Sequence, residues 1–247
     1  MKTYIFLILG ITLFIGKAKS QDVTYDIPLS KPGEAGKLKI NVYNASIKIT
    51  ASAGDKVTLH INDKRFRTGK RKSAEFYYQI LEDNNTITIL NRDASKTKGL
   101  HLELEVPADF SAELATYFGP TLEVYGLNGD VEANGYFTDI QLTKLNGSII
   151  ASTNHGKMLV DLEQVYRANT YFLSCYKKDL EILLPKNTSA SLHMNNNFGK
   201  FESDFPLQLQ PNEKTLRNTN YVFRTINGGG AEFKLINYFG KILVRSK

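Results

Sequence analysis

Tryptophan is absent from this 247-residue chain, which has one cysteine, three methionines, seven prolines and four histidines. A lone Cys175 rules out an intramolecular disulfide even in an oxidising compartment. Stability must then come from a hydrophobic core, and the chain is long enough to build one. Cys175 lies among aromatics in YFLSCY, a setting that predicts a buried, unreactive thiol. The histidines, His60, His101, His155 and His193, are scattered. None has a Cys, His, Asp or Glu partner at the spacing of a familiar zinc motif. No G-x-S-x-G elbow, phosphate-binding glycine loop or calcium-loop pattern is present. The expectation is therefore no catalytic, cofactor-binding or metal-binding residue, and no cofactor. His155, in the corner NHG, is expected to be a solvent-facing turn residue.

Long apolar runs are equally scarce. One stands at the start, MKTYIFLILGITLFIGKAKSQD, with Lys2 as a positive opening, an apolar run to Gly16, and Ala18-Lys19-Ser20 before Gln21. That layout predicts a secretory signal peptide over residues 1–20. The run is shorter than the ~20 residues of a spanning helix, so an uncleaved anchor is the weaker reading. An exported protein is expected, in the periplasm, at the cell surface or secreted, with no transmembrane span after cleavage. Loss of the leader's three lysines leaves 28 basic and 25 acidic side chains. The strong basicity of a nucleic-acid binder disappears with it. One local cluster remains, DKRFRTGKRK from Asp63 to Lys72, read as a solvated hairpin loop. Attraction to anionic lipid or acidic glycans is its alternative reading.

What the chain does contain is alternation. Segments such as KLKINVYNASIKIT, DKVTLHI, YYQILEDNNTITIL and LHLELEV place apolar residues at every second position, the period of a half-buried strand. Asn-Gly and Gly-Gly pairs punctuate them. An almost entirely β protein is predicted. Within it a corner recurs, at Gly119, Gly129, Thr138, Gly147 and Gly156, with spacings of ten, nine, nine and nine. Two positions after four of these corners stand Val131, Ile140, Ile149 and Met158, and four positions after them stand Ala133, Leu142, Ala151 and Val160. The corners alternate as YFG, LNG, YFT, LNG, so two nine-residue halves make a coil of about 18 to 19 residues, each half a short strand and a tight bend. Asn and Gly suit such bends by tolerating positive φ; Thr138 must use another geometry. The competing reading is an antiparallel meander or β-sandwich, since Asn-Gly also signals hairpins. A coil that makes its own interior needs no helical cover, and this favours a parallel β-helix or β-solenoid.

The segments LEVPADFSAELATYFG, LNGDVEANG, LNGSIIASTNHGKMLVDL, DLEILLPKNTSASLHMNNNFGKFESDF and NGGGAEFKLINYFGKILVRS resemble the bacterial adhesin-like family of DUF4097 type, whose repeats carry an N-G-[DS]-[VI] corner. KLKINVYNASIKITASAGDKVTLHI is similar to that family's N-terminal entry, with Ala45 where Gly is usual. The resemblance implies a right-handed β-helix-like fold on an exported bacterial protein, and brings no catalytic residues. Residues 21–105 are read as an N-terminal β cap or opening layers and 106–247 as the repeat-bearing solenoid, with one continuous domain over 21–247 as the alternative. A solenoid end needs a cap because its unpaired backbone groups invite edge-to-edge assembly.

Several constellations invite a functional reading. Carboxylates alternate at Glu103 and Glu105, Asp161 and Glu163, Asp179 and Glu181, and Glu202 and Asp204. Neighbours two apart on a strand lie about 7 Å apart, a separation open to glycosidic acid–base chemistry, but the polar face of any alternating strand produces such pairs. Tyr-Phe pairs recur at Tyr117-Phe118, Tyr136-Phe137, Tyr171-Phe172 and Tyr238-Phe239. Stacked and exposed they would suit a glycan or peptide; buried packing of the corner is the favoured expectation, because Phe is costly to leave wet. Ile150 and Leu159 are outward positions expected to extend one apolar strip for a protein contact. The sequons at Asn44, Asn84, Asn146 and Asn187 are read as turn composition without a glycan. The function expected is a non-enzymatic exported adhesin or cell-envelope interaction scaffold, with envelope glycans or surface proteins as partners. A carbohydrate-active enzyme, polysaccharide lyase or hydrolase, on the same scaffold is the alternative. The phase of the repeat predicts that Ile149→Asp costs several kcal/mol by burying an unpaired charge, while Glu132→Ala changes stability by less than about 0.5 kcal/mol. Urea unfolding of the two variants checks this.

Overall fold

The computed structural model describes residues 21–63, 74–206 and 221–247. The leader at 1–20 and the basic cluster at 64–72 lie outside the described residues. Strands dominate, with a single four-residue helical turn, α1 (Ala74–Tyr77), among the described residues. The strands are β1 (Gln21–Ile27), β2 (Lys37–Tyr43), β3 (Ala45–Ser52), β4 (Val57–Asp63), β5 (Tyr78–Asp83), β6 (Thr86–Asn91) and β7 (Leu100–Pro107). There follow β8 (Ser111–Tyr117), β9 (Thr121–Tyr125), β10 (Val131–Tyr136), β11 (Asp139–Thr143), β12 (Ile149–Asn154), β13 (Met158–Asp161), β14 (Tyr171–Cys175) and β15 (Leu180–Leu184). The last are β16 (Ala190–Asn196), β17 (Phe201–Ser203), β18 (Tyr221–Ile226), β19 (Ala231–Asn237) and β20 (Ile242–Ser246).

These strands form two ten-stranded sheets, which face each other as walls and do not close into a barrel. The first wall runs β1-β4-β7-β3-β9-β11-β13-β15-β20-β17, the second β18-β16-β19-β14-β12-β10-β8-β2-β6-β5. Through the middle each coil gives one strand to the second wall and the next to the first, and successive coils pair in parallel. Val131 lies beside Ile149 and Ile140 beside Met158, the register that the nine-residue phase predicts. The antiparallel meander about Asn128-Gly129 is thereby overturned: a one-sided meander would leave its apolar face wet, whereas here both walls turn theirs inward.

Registered parallel strands turn the alternation into columns. Leu102, Ile47, Leu122, Ile140, Met158, Leu180 and Ile242 form one on the first wall. On the second wall Ile87, Leu38, Ala112, Val131, Ile149, Tyr171 and Phe233 form another. All are at most 2% exposed, and each large aliphatic contributes roughly 1.5 to 3 kcal/mol of burial. Tyr171 and Phe233 stack within the column with ring centroids 4.3 Å apart. Glu132 faces outward and is exposed.

Both ends depart from sequence order. The coil β2–β3 lies between β6–β7 and β8–β9, and β19–β20 lies between β14–β15 and β16–β17. Beyond these outer coils the pairing turns antiparallel: β4 on β7, β1 on β4, β5 on β6, and β18 on β16.

The corners from second wall to first are built differently from the expectation. The left-handed residue is not the glycine but the residue before it: Phe118 (φ 61°), Phe137 (φ 55°) and His155 (φ 68°). The glycine is required by proximity, because a Cβ on Gly119 would lie 2.0 Å from Ala45 O and one on Gly156 1.7 Å from Thr138 O. Those carbonyls point into the stack and need donors. Thr116 Oγ1 donates to Ala45 O (2.8 Å), Thr153 Oγ1 to Thr138 O (2.6 Å), Asn237 Nδ2 to Lys178 O (2.9 Å) and Asn196 Nδ2 to Gly240 O (2.8 Å). Cys175 Sγ takes the same place against Gly156 O at 3.1 Å.

Thr138 is the reversed case. The position three before it is Gly135 instead of a donor, and Thr138 Oγ1 itself donates to Gly119 O at 2.7 Å. A Cβ on Gly135 would meet Thr138 Cβ at 2.9 Å, so the glycine and the threonine have exchanged places together. Gly135→Thr alone should destabilise by about 1 to 3 kcal/mol through overpacking. The double variant Gly135→Thr/Thr138→Gly restores the common corner and should recover at least half of that loss in urea denaturation.

Candidate functional site

One long edge of the stack, where those corners lie, is aromatic. Phe118 stacks on Phe137 (centroids 5.8 Å) and Phe137 on His155 (4.3 Å). His155 tilts against Tyr176 (6.3 Å), Tyr176 stacks on Tyr238 (5.1 Å), and Phe239 stacks on Phe198 (5.3 Å). Within a corner the Tyr and Phe rings are perpendicular, as in Tyr136 with Phe137 and Tyr238 with Phe239. A separate stacked pair, Tyr43 and Tyr117 at 4.7 Å, continues the edge toward the N-terminal coils. Strand spacing is about 4.8 Å, so the run from Phe118 to Phe198 spans roughly 24 Å.

The expectation that these rings are buried corner packing is wrong for the edge. Phe118, Phe137, Phe239 and Phe198 are 53%, 49%, 47% and 67% exposed. A left-handed backbone turns Phe118 and Phe137 out of the corner while the next residue approaches the coil below, whereas Phe198 and Phe239 are exposed without a positive φ. Tyr171 and Phe172 are not on this edge: they lie within β14, Tyr171 buried in the core and Phe172 on the outer face. His155 is half-buried in the ladder rather than a free turn residue.

Ile150 and Leu159 do not form one strip. Ile150 lies on β12 in the second wall and Leu159 on β13 in the first, so they face opposite sides of the molecule. Reading nine-residue halves as one continuing surface hides this, because alternate halves belong to different walls. Ile150 instead has Phe172 as its neighbour on β14.

The carboxylate pairs near the C-terminus are tied to cations. Arg245 contacts Glu202 (3.2 Å), Asp204 (2.9 Å) and, more distantly, Glu181 (4.0 Å). Lys241 Nζ lies 2.8 Å from Glu202, and its backbone N–H donates to Asp179 Oδ1 at 2.8 Å. Lys144 pairs with Glu163 at 2.9 Å, and Lys247 with Asp161. Glu103 stands between Lys48 on β3 and His60 on β4, with Glu105 two residues on. The Lys241 hydrogen bond holds Glu202 below the ordinary carboxylate range, and the Ser246 backbone N–H together with Arg245 does so for Asp204. A general acid working near neutral pH needs the opposite displacement. Cys175 is 1% exposed, and burial pushes its thiol up to about 11, which suits the inert role read from YFLSCY. Of the sequon asparagines, Asn44 and Asn84 occupy left-handed turn positions. Among the described residues no three metal-ligating side chains gather, and no helix is long and apolar enough to cross a membrane.

A feature the sequence does not announce lies on the outer face of the second wall. An open groove of about 730 Å³ has Phe172, Glu232 and Lys234 as its floor, Arg167 and Asn169 on one side, and His193, Asn195 and Tyr221 on the other. His193 is held at both ring nitrogens, Nδ1 to Tyr221 OH and Nε2 to Glu232, each at 2.7 Å. The loop carrying Arg167 is fixed from the core, since the buried Tyr171 hydroxyl accepts from Tyr166 N–H at 3.1 Å. Asn169 Nδ2 also donates to Asn146 O at 2.7 Å. His193, Tyr221 and Glu232 come from β16, β18 and β19, so no linear motif joins them.

No family model and no curated protein matches the chain. Among solved structures the chain is similar to a "putative cell adhesion protein" from Clostridium sporogenes ATCC 15579, with 11% identity and a TM-score of 0.52 over 93% of this chain and all of the other. A "putative adhesin" from Bacteroides fragilis NCTC 9343 aligns over 93% of this chain and 99% of its own, with 11% identity and a TM-score of 0.39. Another from Parabacteroides distasonis ATCC 8503 aligns over 94% and 98%, with 12% identity and a TM-score of 0.27. The Clostridium protein shares the fold; the other two are too loosely superposed to add to that.

The C-terminal ion network carries a pH signature. Carboxylates whose folded pKa is depressed stabilise the native state above their unfolded pKa, and that contribution is lost as pH falls through the folded value. Arg245→Ala should therefore lower the urea midpoint at pH 7, and the gap to wild type should close as the pH is taken below about 4. A gap unchanged at pH 3 would show that Arg245 acts through packing alone.

Proposed function

We propose that this chain is a non-enzymatic, exported, adhesin-like scaffold of the bacterial cell envelope that uses its aromatic edge to hold envelope glycans. Export rests on the leader read at residues 1–20. A right-handed coil follows from the strong preference of parallel strand crossovers for that hand. Affiliation with the DUF4097-type adhesins rests on the repeat corners, and the description of the Clostridium neighbour as a cell adhesion protein supports the adhesin-like reading.

The observation that carries the reading is the pairing of exposure with strain. Phe118 and Phe137 occupy left-handed backbone, where a bulky residue costs roughly 1 to 2 kcal/mol and Asn or Gly would be easier. Their rings are nevertheless half exposed. Corner packing accounts for neither fact, whereas a surface for the apolar faces of sugar rings accounts for both. The alternative, an enzyme of acidic polysaccharides, receives no support from Glu202, Asp204, Asp161 and Glu163, which are paired with neighbouring cations.

Phe118→Asn/Phe137→Asn should change the unfolding free energy by less than about 1 kcal/mol, because the lost stacking is offset by relief of the left-handed strain. Binding to isolated envelope polysaccharides should fall at least about tenfold. Undiminished binding would end the proposal, as would release of sugar fragments on incubation with wild type.

A further inference from the structure

The groove on the second wall is separate from the aromatic edge, yet close to it. Lys234 on β19 and Phe172 on β14 each precede an edge residue, Tyr238 and Tyr176, by four positions, about 13 Å along the strand. Its chemistry differs from that of the edge: two cations, one carboxylate already engaged, amides, a phenol and an apolar floor.

We infer that this groove is a binding site for an acidic saccharide of uronate type, which deepens the scaffold reading and rests on it for the class of partner. Charge selects an anion. Arg167 and Lys234 have no carboxylate partner among the described residues, whereas Arg245 on the first wall contacts three. Glu232, the one acid lining the groove among the described residues, is occupied by His193. That hydrogen bond also sets the imidazole. If Glu232 accepts from Nε2–H, then Nδ1 accepts from the Tyr221 hydroxyl, and the phenol oxygen keeps its capacity to accept.

Shape and polarity select a sugar over a bare phosphate or sulfate. The groove is open to solvent, as a chain-like ligand needs. Its floor is the Phe172 ring, with Lys234 Nζ 5.4 Å from the ring centroid. The ammonium stands over the ring face, so a pyranose lying along the edge of this platform meets apolar carbon while its carboxylate meets the cation. The Asn195 amide and the Tyr221 phenol supply hydrogen bonds to hydroxyl groups. Among the described residues no helix N-terminus enters the groove; its polar groups are side chains from strands and from the Arg167 loop, unlike the helix-terminal backbone cradle that recognises phosphate. Arg167 suits a carboxylate because its planar fork donates two parallel hydrogen bonds.

The test is calorimetric titration of the full chain with a galacturonate trisaccharide, and with a neutral glucose trisaccharide of equal length. Wild type should bind the acidic sugar at least about tenfold more tightly. Arg167→Ala and Lys234→Ala, both at exposed positions, should each weaken it by about tenfold, with unchanged far-ultraviolet circular dichroism. Binding should weaken as salt is raised. Phe118→Asn/Phe137→Asn should leave the acidic trisaccharide affinity within twofold, so a failed edge and a failed groove give different patterns. Equal affinity for the two trisaccharides, equal binding by inorganic sulfate, or indifference to both groove substitutions would overturn the inference. So would appearance of an unsaturated uronate product, because the groove would then be a catalytic cleft rather than a holding site.

Discussion

Six bends from the second wall to the first, at Ala45, Gly119, Thr138, Gly156, Lys178 and Gly240, turn on a carbonyl that points into the stack. A buried acceptor without a donor is costly, so each coil must supply one from its neighbour. Thr116, Thr138, Thr153, Cys175, Asn237 and Asn196 do so in succession. The same bend brings backbone so close that a Cβ at Gly119 or Gly156 would overlap a carbonyl oxygen. Donor and glycine are therefore one requirement expressed at two positions three residues apart. The coil pitch, the columns of aliphatic side chains and the straightness of the outer edge all follow from meeting it at each level. A residue of any type that offers a donor of the right reach will serve, which is why threonine, asparagine and cysteine share the role.

Much of this is legible in the sequence. The alternation of KLKINVYNASIKIT and the nine-residue phase from Val131 to Val160 define which residues are inward, and the parallel pairs Val131–Ile149 and Ile140–Met158 follow. The donor rule also left a trace, in Thr116…Gly119, Thr153…Gly156, Asn196…Gly199 and Asn237…Gly240, with Gly135…Thr138 as its inversion. Attention to the glycine alone hides that trace, because glycine suggests positive φ, when here it marks closeness, and at Gly119 and Gly156 the ring-bearing residue before it carries the left-handed turn. Exposure of Phe118 and Phe137 is illegible for the same reason: hydrophobicity predicts burial unless the backbone direction is known.

Other features depend on contacts between distant segments. Ile150 and Leu159 look adjacent in a nine-residue frame, yet one faces each side of the molecule. His193, Tyr221 and Glu232 meet because β19 returns between β14 and β16, with β18 on the far side of β16. No local pattern encodes that return. The groove is thus a product of how the chain closes its last coils, and the aromatic edge is a product of the repeat itself.

The interleaving of the terminal coils restricts how the molecule can change in length. Since β19–β20 fills an interior slot, a duplicated copy appended after Ser246 would find its expected berth already flanked on both sides. The same holds upstream, where β2–β3 is enclosed by β6–β7 and β8–β9. Lineages can lengthen or shorten such a rod only by inserting or deleting coils between β8 and β15, where sequence order and spatial order coincide, and the two braided ends then travel unchanged like ferrules on a cane.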